Sequence, residues 1–213
     1  MFSQSVIIDI QPGLWLWRIP HPSWEPGEGG DRWVTSTCVA TGGEVAILDA
    51  LAPEDAGDAV WERLDGTPPT MIVVLKPDHV RSVDLFASRY PDARVFGPDV
   101  FHKDDIPQVD LEPIYPGDVL PGNLVALYDG RGRNETPLWI PEHGTIVFSD
   151  ALTGLGGRLQ IWTTPWHEGR VLPAMRSLLD LEFERVIVSH GQPIHDRAAF
   201  EGALNTEPYS ASS

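Results

Sequence analysis

Cysteine is almost missing from this sequence: Cys38 is the only one in 213 residues. A single thiol excludes an intrachain disulfide and any zinc site built from cysteines alone, and nothing demands an oxidising compartment. Basic residues are scarce as well. With 15 Lys plus Arg against 31 Asp plus Glu, the formal net charge is −16, which disfavours nucleic acid and anionic membrane surfaces as partners. Long hydrophobic runs are also lacking. The N-terminal MFSQSVIIDIQP carries no basic segment and its apolar stretch is short and interrupted, so neither a secretory signal nor a membrane span is expected, and a cytoplasmic location is the default. No G-x-G-x-x-G follows a strand, and neither a Walker A loop nor a G-x-S-x-G elbow occurs.

The remaining sequence reads as strands and helices. VIIDI (6–10), GLWLWRI (13–19), WVTSTCVAT (33–41) and EVAILDA (44–50) are β-branched or aromatic runs, and Gly42-Gly43 suits a tight hairpin between the last two. Residues 20–31 hold too much Pro and Gly for regular structure and predict a long loop carrying Trp24. Helical spacing of apolar residues marks 53–64, then a segment through Val80, Val83, Ala87 and Tyr90 with Asp78 placed to cap it, then 171–179 and 195–204. MIVVL (71–75), NLVALYD (123–129), TPLWIP (136–141), TIVFSD (145–150) and RVIVSH (185–190) read as strands, with PEHG turning a hairpin. We expect a single domain over residues 1–205 and a disordered tail over 206–213. Strands followed by helix, strand and helix in both halves suggest two similar layers packed as a sandwich with helices outside.

Asp78-His79, Asp150 and His190 each follow an apolar strand. If those strands share one sandwich, their C-terminal ends converge on one edge, where α/β proteins bind ligands. Two carboxylates and two imidazoles suit Zn, Fe or Mn. Singly, each residue has a plainer reading: Asp78 as a helix cap, His190 as a hydrogen-bonded buried histidine, Asp150 as an acceptor for loop amides. Trp24 and Trp33, with Trp162 and Trp166, lie in or beside predicted loops as pocket candidates, although tryptophan also fills cores. GRGR (130–133) allows a phosphate or carboxylate contact, with a solvated turn as the plainer reading, and His21, His102, His143, His167 and His195 read as surface groups.

Order and spacing along nearly the whole chain resemble the metallo-β-lactamase superfamily. Its Asp-x-Gly after the N-terminal hairpins corresponds to ILDAL, with Asp49 kept and Leu51 in place of Gly. Its His-x-His-x-Asp-His corresponds to Val74, Leu75, Lys76, Pro77, Asp78 and His79. A later histidine falls on Glu135 in Asn134-Glu135-Thr136-Pro137, the bridging aspartate on Asp150 in Phe148-Ser149-Asp150, and the final histidine on His190 in Ser189-His190-Gly191.

The resemblance implies a four-layer αββα sandwich of two mixed sheets with helices outside. It also implies that the three first-metal histidines are replaced by Val74, Lys76 and Glu135, whereas the second-metal set Asp78, His79, Asp150 and His190 survives. Lys76 then places an ammonium where the first metal sits, with Glu135 as its ion-pair partner or, in the plainer case, with both exposed. Asp78, Asp150 and Glu135 against Lys76 leave two negative charges, met by one divalent cation or by two protonated histidines and no metal. Two functions follow. One is a hydrolase-like protein with at most one metal, acting on a small ester, lactone, thioester or amide through Asp78, Lys76 and Asp150. The other is a catalytically silent module that binds a small molecule or partner. β-Lactamase activity itself is not expected.

Overall fold

The structure, a computed structural model, describes residues 5–22, 24–25, 31–131 and 135–210. In chain order the first half contains β1 (Val6–Gln11), β2 (Leu14–Pro20), β3 (Trp33–Thr41), β4 (Glu44–Leu48), α1 (Ala59–Gly66), β5 (Met71–Val73), α2 (Val83–Arg89), β6 (Arg94–Gly97) and β7 (Glu112–Pro113). The second half contains β8 (Val119–Leu120), β9 (Leu124–Ala126), β10 (Leu138–Ile140), β11 (Thr145–Phe148), β12 (Leu152–Thr153), β13 (Gln160–Ile161), α3 (Leu172–Ser177), β14 (Arg185–Val188), β15 (Ile194–Asp196) and α4 (Arg197–Ala203). Strands β1 to β7 form one sheet in sequence order, and the second sheet runs β15-β14-β11-β10-β9-β8, with β12 and β13 a separate ribbon.

Both faces of each sheet are apolar, which fixes the layers. Along β2, alternate residues turn opposite ways. Leu14 and Leu16 join Leu48 and Val73 against Leu138, Val147 and Ile187 of the other sheet, whereas Trp15 and Trp17 pack with Trp61, Leu64 and Phe86 from α1 and α2. On the far side Ile146, Phe148, Val186 and Val188 meet Leu172 and Met175 of α3 and Phe200 of α4. The result is helix, sheet, sheet, helix. Among the described residues no helix is long and apolar enough to cross a membrane.

The hairpins at Gly42-Gly43 and Pro141–His143 form as the sequence indicates. Asp58, whose Oδ1 accepts from Val60 N at 2.9 Å, caps α1. Asp78 does not cap the second helix. That helix starts at Val83 after Ser82, because Arg81 takes a left-handed φ of 47° that interrupts the turn, and Asp78 is drawn to Lys76 instead. The expected closing helix from 195 begins later: His195 and Asp196 end β15, and Asp196 accepts from Ala199 N at 2.7 Å as the cap of α4. The tail is ordered as far as Tyr209, whose ring lies 4.9 Å from that of Trp162 and whose carbonyl accepts from Thr163 N at 2.8 Å. The rest of the expected disordered tail, 211–213, lies outside the described residues.

Gly191 lies where the tips of the second sheet turn. It has φ +81°, and a Cβ there would come within 2.1 Å of Gly154 C and 2.2 Å of Leu155 N. Gly191→Ala is therefore expected to cost more than about 3 kcal/mol in urea unfolding, from backbone strain plus a steric clash. Gly43→Ala, at φ +85° in open space, should cost only about 1 kcal/mol. Equal costs would show that the close approach to Gly154 does not exist.

Candidate metal centre

Parallel pairing places the site. Strand β4 runs parallel to β5, and β11 parallel to β14, so the residues after Leu48, Val73, Phe148 and Val188 leave along one edge of the sandwich. The two sheets are tied there: Thr35 N donates to Ser189 O at 2.9 Å, and Val34 bridges His190. Asp49, Lys76, Asp78, His79, Asp150 and His190 meet at this edge.

Lys76 is buried, 4% exposed, and its Nζ lies 2.5 Å from both Asp78 Oδ2 and Asp150 Oδ2. His79 is oriented from behind. Its Nδ1 is 2.8 Å from Asp49 Oδ2, leaving Nε2 3.4 Å from Asp150 Oδ2. His190 Nε2 is 3.4 Å from Asp150 Oδ1. Asp49 is itself locked: Oδ1 accepts from Leu75 N at 2.8 Å, Oδ2 from Ser149 Oγ, and its carbonyl from Arg81 Nη1. Such a carboxylate behind an imidazole selects the tautomer whose other nitrogen faces the site.

Glu135 does not pair with Lys76. Its Oε1 accepts from the backbone of Ser149 at 3.2 Å and Ala151 at 3.1 Å, and its Oε2 from Asp150 N at 3.1 Å and from Arg131 Nη2. Arg131 in turn gives Nε to Asp129 Oδ2 at 2.6 Å and Nη1 to Asp150 O at 3.1 Å. Arg131 is thus buried, and the expected solvated turn is corrected, although Gly132 and Arg133 of GRGR lie outside the described residues. The physical reason is charge: a buried carboxylate needs a cation with several donors, and guanidinium supplies more of them than ammonium. The buried Asp129–Arg131–Glu135 group holds the turn that carries Asp150.

Burial would raise the pKa of Asp150, but His79, Lys76 and His190 together hold it well below the usual carboxylate range. Burial and Arg81 both oppose charge on His79, yet Asp150 and Asp49 outweigh them and raise its pKa. His190 goes the other way: burial depresses it to about 4 against the pull of Asp150, with Arg81 and His79 adding repulsion. The charge balance therefore differs from the sequence count. Glu135 leaves the sum with Arg131. Asp49, Asp78 and Asp150 face Lys76 and Arg81, and the remaining negative charge favours the charged form of His79.

His79, Asp150 and His190 offer ligand atoms within 4.8 Å of one another, and Asp150 Oδ1 is buried without a hydrogen-bond partner. An orphaned carboxylate oxygen facing an imidazole nitrogen fits a divalent ion, and two histidines with one carboxylate suit Zn, Fe or Mn. Asp78, expected as a fourth ligand, is outside this group: it offers no oxygen within that distance of all three. Val74 packs in the outer core of the first sheet, too apolar to contribute a ligand. Beside Asp78 a cleft of about 820 Å³ opens, lined by Phe101, His102, Tyr128, Arg131 and Arg170 among others. Neither Trp24 nor Trp33 lines it, which corrects that expectation for this cleft: the Trp33 ring instead faces the guanidinium of Arg32 at 5.0 Å. His143 and His195, expected at the surface, are buried and bonded through Nε2 to Ala40 O and Gln192 O, each at 2.8 Å. Arg81, Arg131 and Asp129 were not legible as site residues. For Asp129 and Arg131 the Asp-x-Arg spacing after an apolar strand is the only signal, and Arg81 has none.

Two outcomes test this geometry. Glu135→Gln sets an amide NH₂ against either the two backbone donors at Oε1 or Asp150 N and Arg131 at Oε2, and strips Arg131 of one anion, so a loss of about 3 kcal/mol is expected, with shifted amide resonances at residues 149–151. Unchanged resonances would contradict the positioning role. For His190 the folded value of about 4 lies below the 6.5 of an unconstrained histidine, so the unfolded chain takes up the proton first and stability falls as pH drops from about 6.5 towards 4. In chelator-treated protein His190→Gln should lessen that acid-side loss, seen as a flatter urea midpoint against pH. A raised His79 gives the opposite slope, and equal profiles for the two proteins would refute the assignment.

No protein-family model matches the sequence, and no curated protein is similar to it by sequence. Solved structures do match. The metallo-beta-lactamase FIM-1 from Pseudomonas aeruginosa in its mono-zinc form is 15% identical at TM-score 0.69, covering 96% of this chain and 95% of that one. A metallo-beta-lactamase from Pontibacter korlensis is 13% identical at TM-score 0.68, covering 96% and 100%. A metallo-beta-lactamase family protein from Thermus thermophilus is 21% identical at TM-score 0.63, covering 92% and 79%. Identities this low with coverage this high speak to architecture, and the layer order, the two mixed sheets and the strand-tip edge agree with it: the chain has the metallo-β-lactamase fold.

Proposed function

We propose that this chain is a hydrolase-like protein whose site takes at most one divalent ion, held by His79, Asp150 and His190, and that it acts on a small ester, lactone, thioester or amide. The observation that carries this reading is the buried, partnerless Asp150 Oδ1 beside His190 Nε2. A bound ion would supply Lewis acidity and acidify a water.

The chain's own groups do the rest. Asp49 holds His79 with Nε2 towards the site. Lys76, kept in place by two carboxylates, stabilises negative charge developing on a carbonyl oxygen. Asp78 lines the cleft and is the carboxylate placed to accept a proton there. Both acids lie on Lys76, but Asp150 also faces the two histidines, so Asp78, which lines the cleft, takes the orienting role that the sequence leaves to either acid.

A second reading, a silent binding module, has its own support: Lys76 already lies on both Asp78 and Asp150, and the charges balance with His79 protonated. Metal content separates the two. Protein purified without chelator or histidine tag is expected to hold about one equivalent by mass spectrometry, lost in Asp150→Asn and His190→Ala. No metal at neutral pH, with unchanged unfolding midpoints on chelation, would favour the silent module.

A further inference from the structure

The cleft beside Asp78 is built from segments far apart in sequence, and Gly130 is where they meet. A Cβ at Gly130, φ +82°, would stand 2.6 Å from Arg170 O and 2.6 Å from Val171 Cα, so only glycine lets the strand exit after β9 lie against the backbone of Arg170. That approach sets Tyr128 beside Arg170, whose Nη2 donates to Tyr128 Oη at 2.9 Å while the guanidinium lies 5.7 Å from the Trp166 ring centroid.

Arg170 differs from the other cations here. Arg131 directs its donors to Asp129, Glu135 and Asp150, and Lys76 lies on two carboxylates. Among the described residues the contacts of Arg170 are a phenol and an indole, with no carboxylate. The chain has 31 acidic residues against 15 basic, and the cleft lining holds Asp78, Asp99 and Glu135 together with Arg131 and Arg170. The cleft thus brings two guanidinium groups to one lining in a strongly acidic protein. Its wall is apolar as well: Val100 is 60% and Tyr128 44% exposed, with Phe101 and Pro116 alongside.

We propose that this cleft binds a small organic monocarboxylate with an apolar body. The carboxylate is held by the Arg170 fork and the Tyr128 hydroxyl, and the body covers Val100, Phe101 and Pro116. One guanidinium that, among the described residues, faces a phenol and an indole and no acid answers a single negative charge better than a doubly charged phosphate. The inference rests on the hydrolase-like reading only in what happens next: a molecule anchored at Arg170 presents its other end to Asp78 and Lys76, so the substrate class becomes an ester, lactone, thioester or amide that also carries a free carboxylate.

The test compares phenylacetate with its neutral isostere phenylacetamide by calorimetric titration of the full chain. Ligands of this size bind in about the millimolar range. The acid is expected to bind about tenfold tighter than the amide, Arg170→Gln to erase that preference with the urea midpoint unchanged, and Tyr128→Phe to reduce it. No binding of phenylacetate, equal binding of acid and amide, or a preference that survives Arg170→Gln overturns the proposal. The same titrations after EDTA treatment and in His190→Ala separate it from the metal reading. A preference that persists belongs to Arg170 even if the protein proves metal-free, and one that vanishes belongs to a bound ion and overturns the proposal.

Discussion

The strand-tip edge depends on a single ammonium: Lys76 Nζ lies between Asp78 and Asp150, 2.5 Å from each, and the two acids follow different strands, one from each sheet. Two carboxylates brought this close would repel and take up protons. With the ammonium between them they remain ionised, and the edge where the sheets meet is held together by charge. Pulling Lys76 away would leave partly buried anions without a counter-charge, a cost that greatly exceeds the worth of a surface pair.

Around that pair the fold supplies two rigid mounts. Asp49 fixes His79 on the first sheet, and its second role, accepting from Leu75 and Ser149, ties that mount to the other sheet. Glu135, Arg131 and Asp129 form a buried ion group that holds three successive amides of the Asp150 turn. Buried charges of this kind add little net stability, but they define one geometry and penalise all others. The consequence is a preorganised edge in which one carboxylate oxygen, Asp150 Oδ1, is left over for something else.

The electrostatics of the two histidines divide their labour. His79, near two carboxylates, is drawn towards its charged form, and His190 is kept neutral chiefly by burial, with Arg81 and His79 adding repulsion. An ion bound there would compete with protonation of His79, whereas His190 already presents a lone pair over most of the pH range.

Sequence alone determined the layers and the position of the edge. Alternation of Leu14 and Leu16 with Trp15 and Trp17 shows a sheet covered on both faces, and the polar groups after MIVVL, TIVFSD and RVIVSH mark the strand tips. These are properties of local period and composition, and they survive any detail of packing. Which charges pair was decided only by the tertiary structure. Lys76 and Glu135 fit each other on paper, but Arg131, which reads as a solvated turn, reaches Glu135 first, and Asp78 leaves its helix for Lys76. Pairing of buried ions depends on distances and donors between segments distant in the chain, which no local pattern encodes, and so the partner of each charge became fixed only when the two sheets closed on each other.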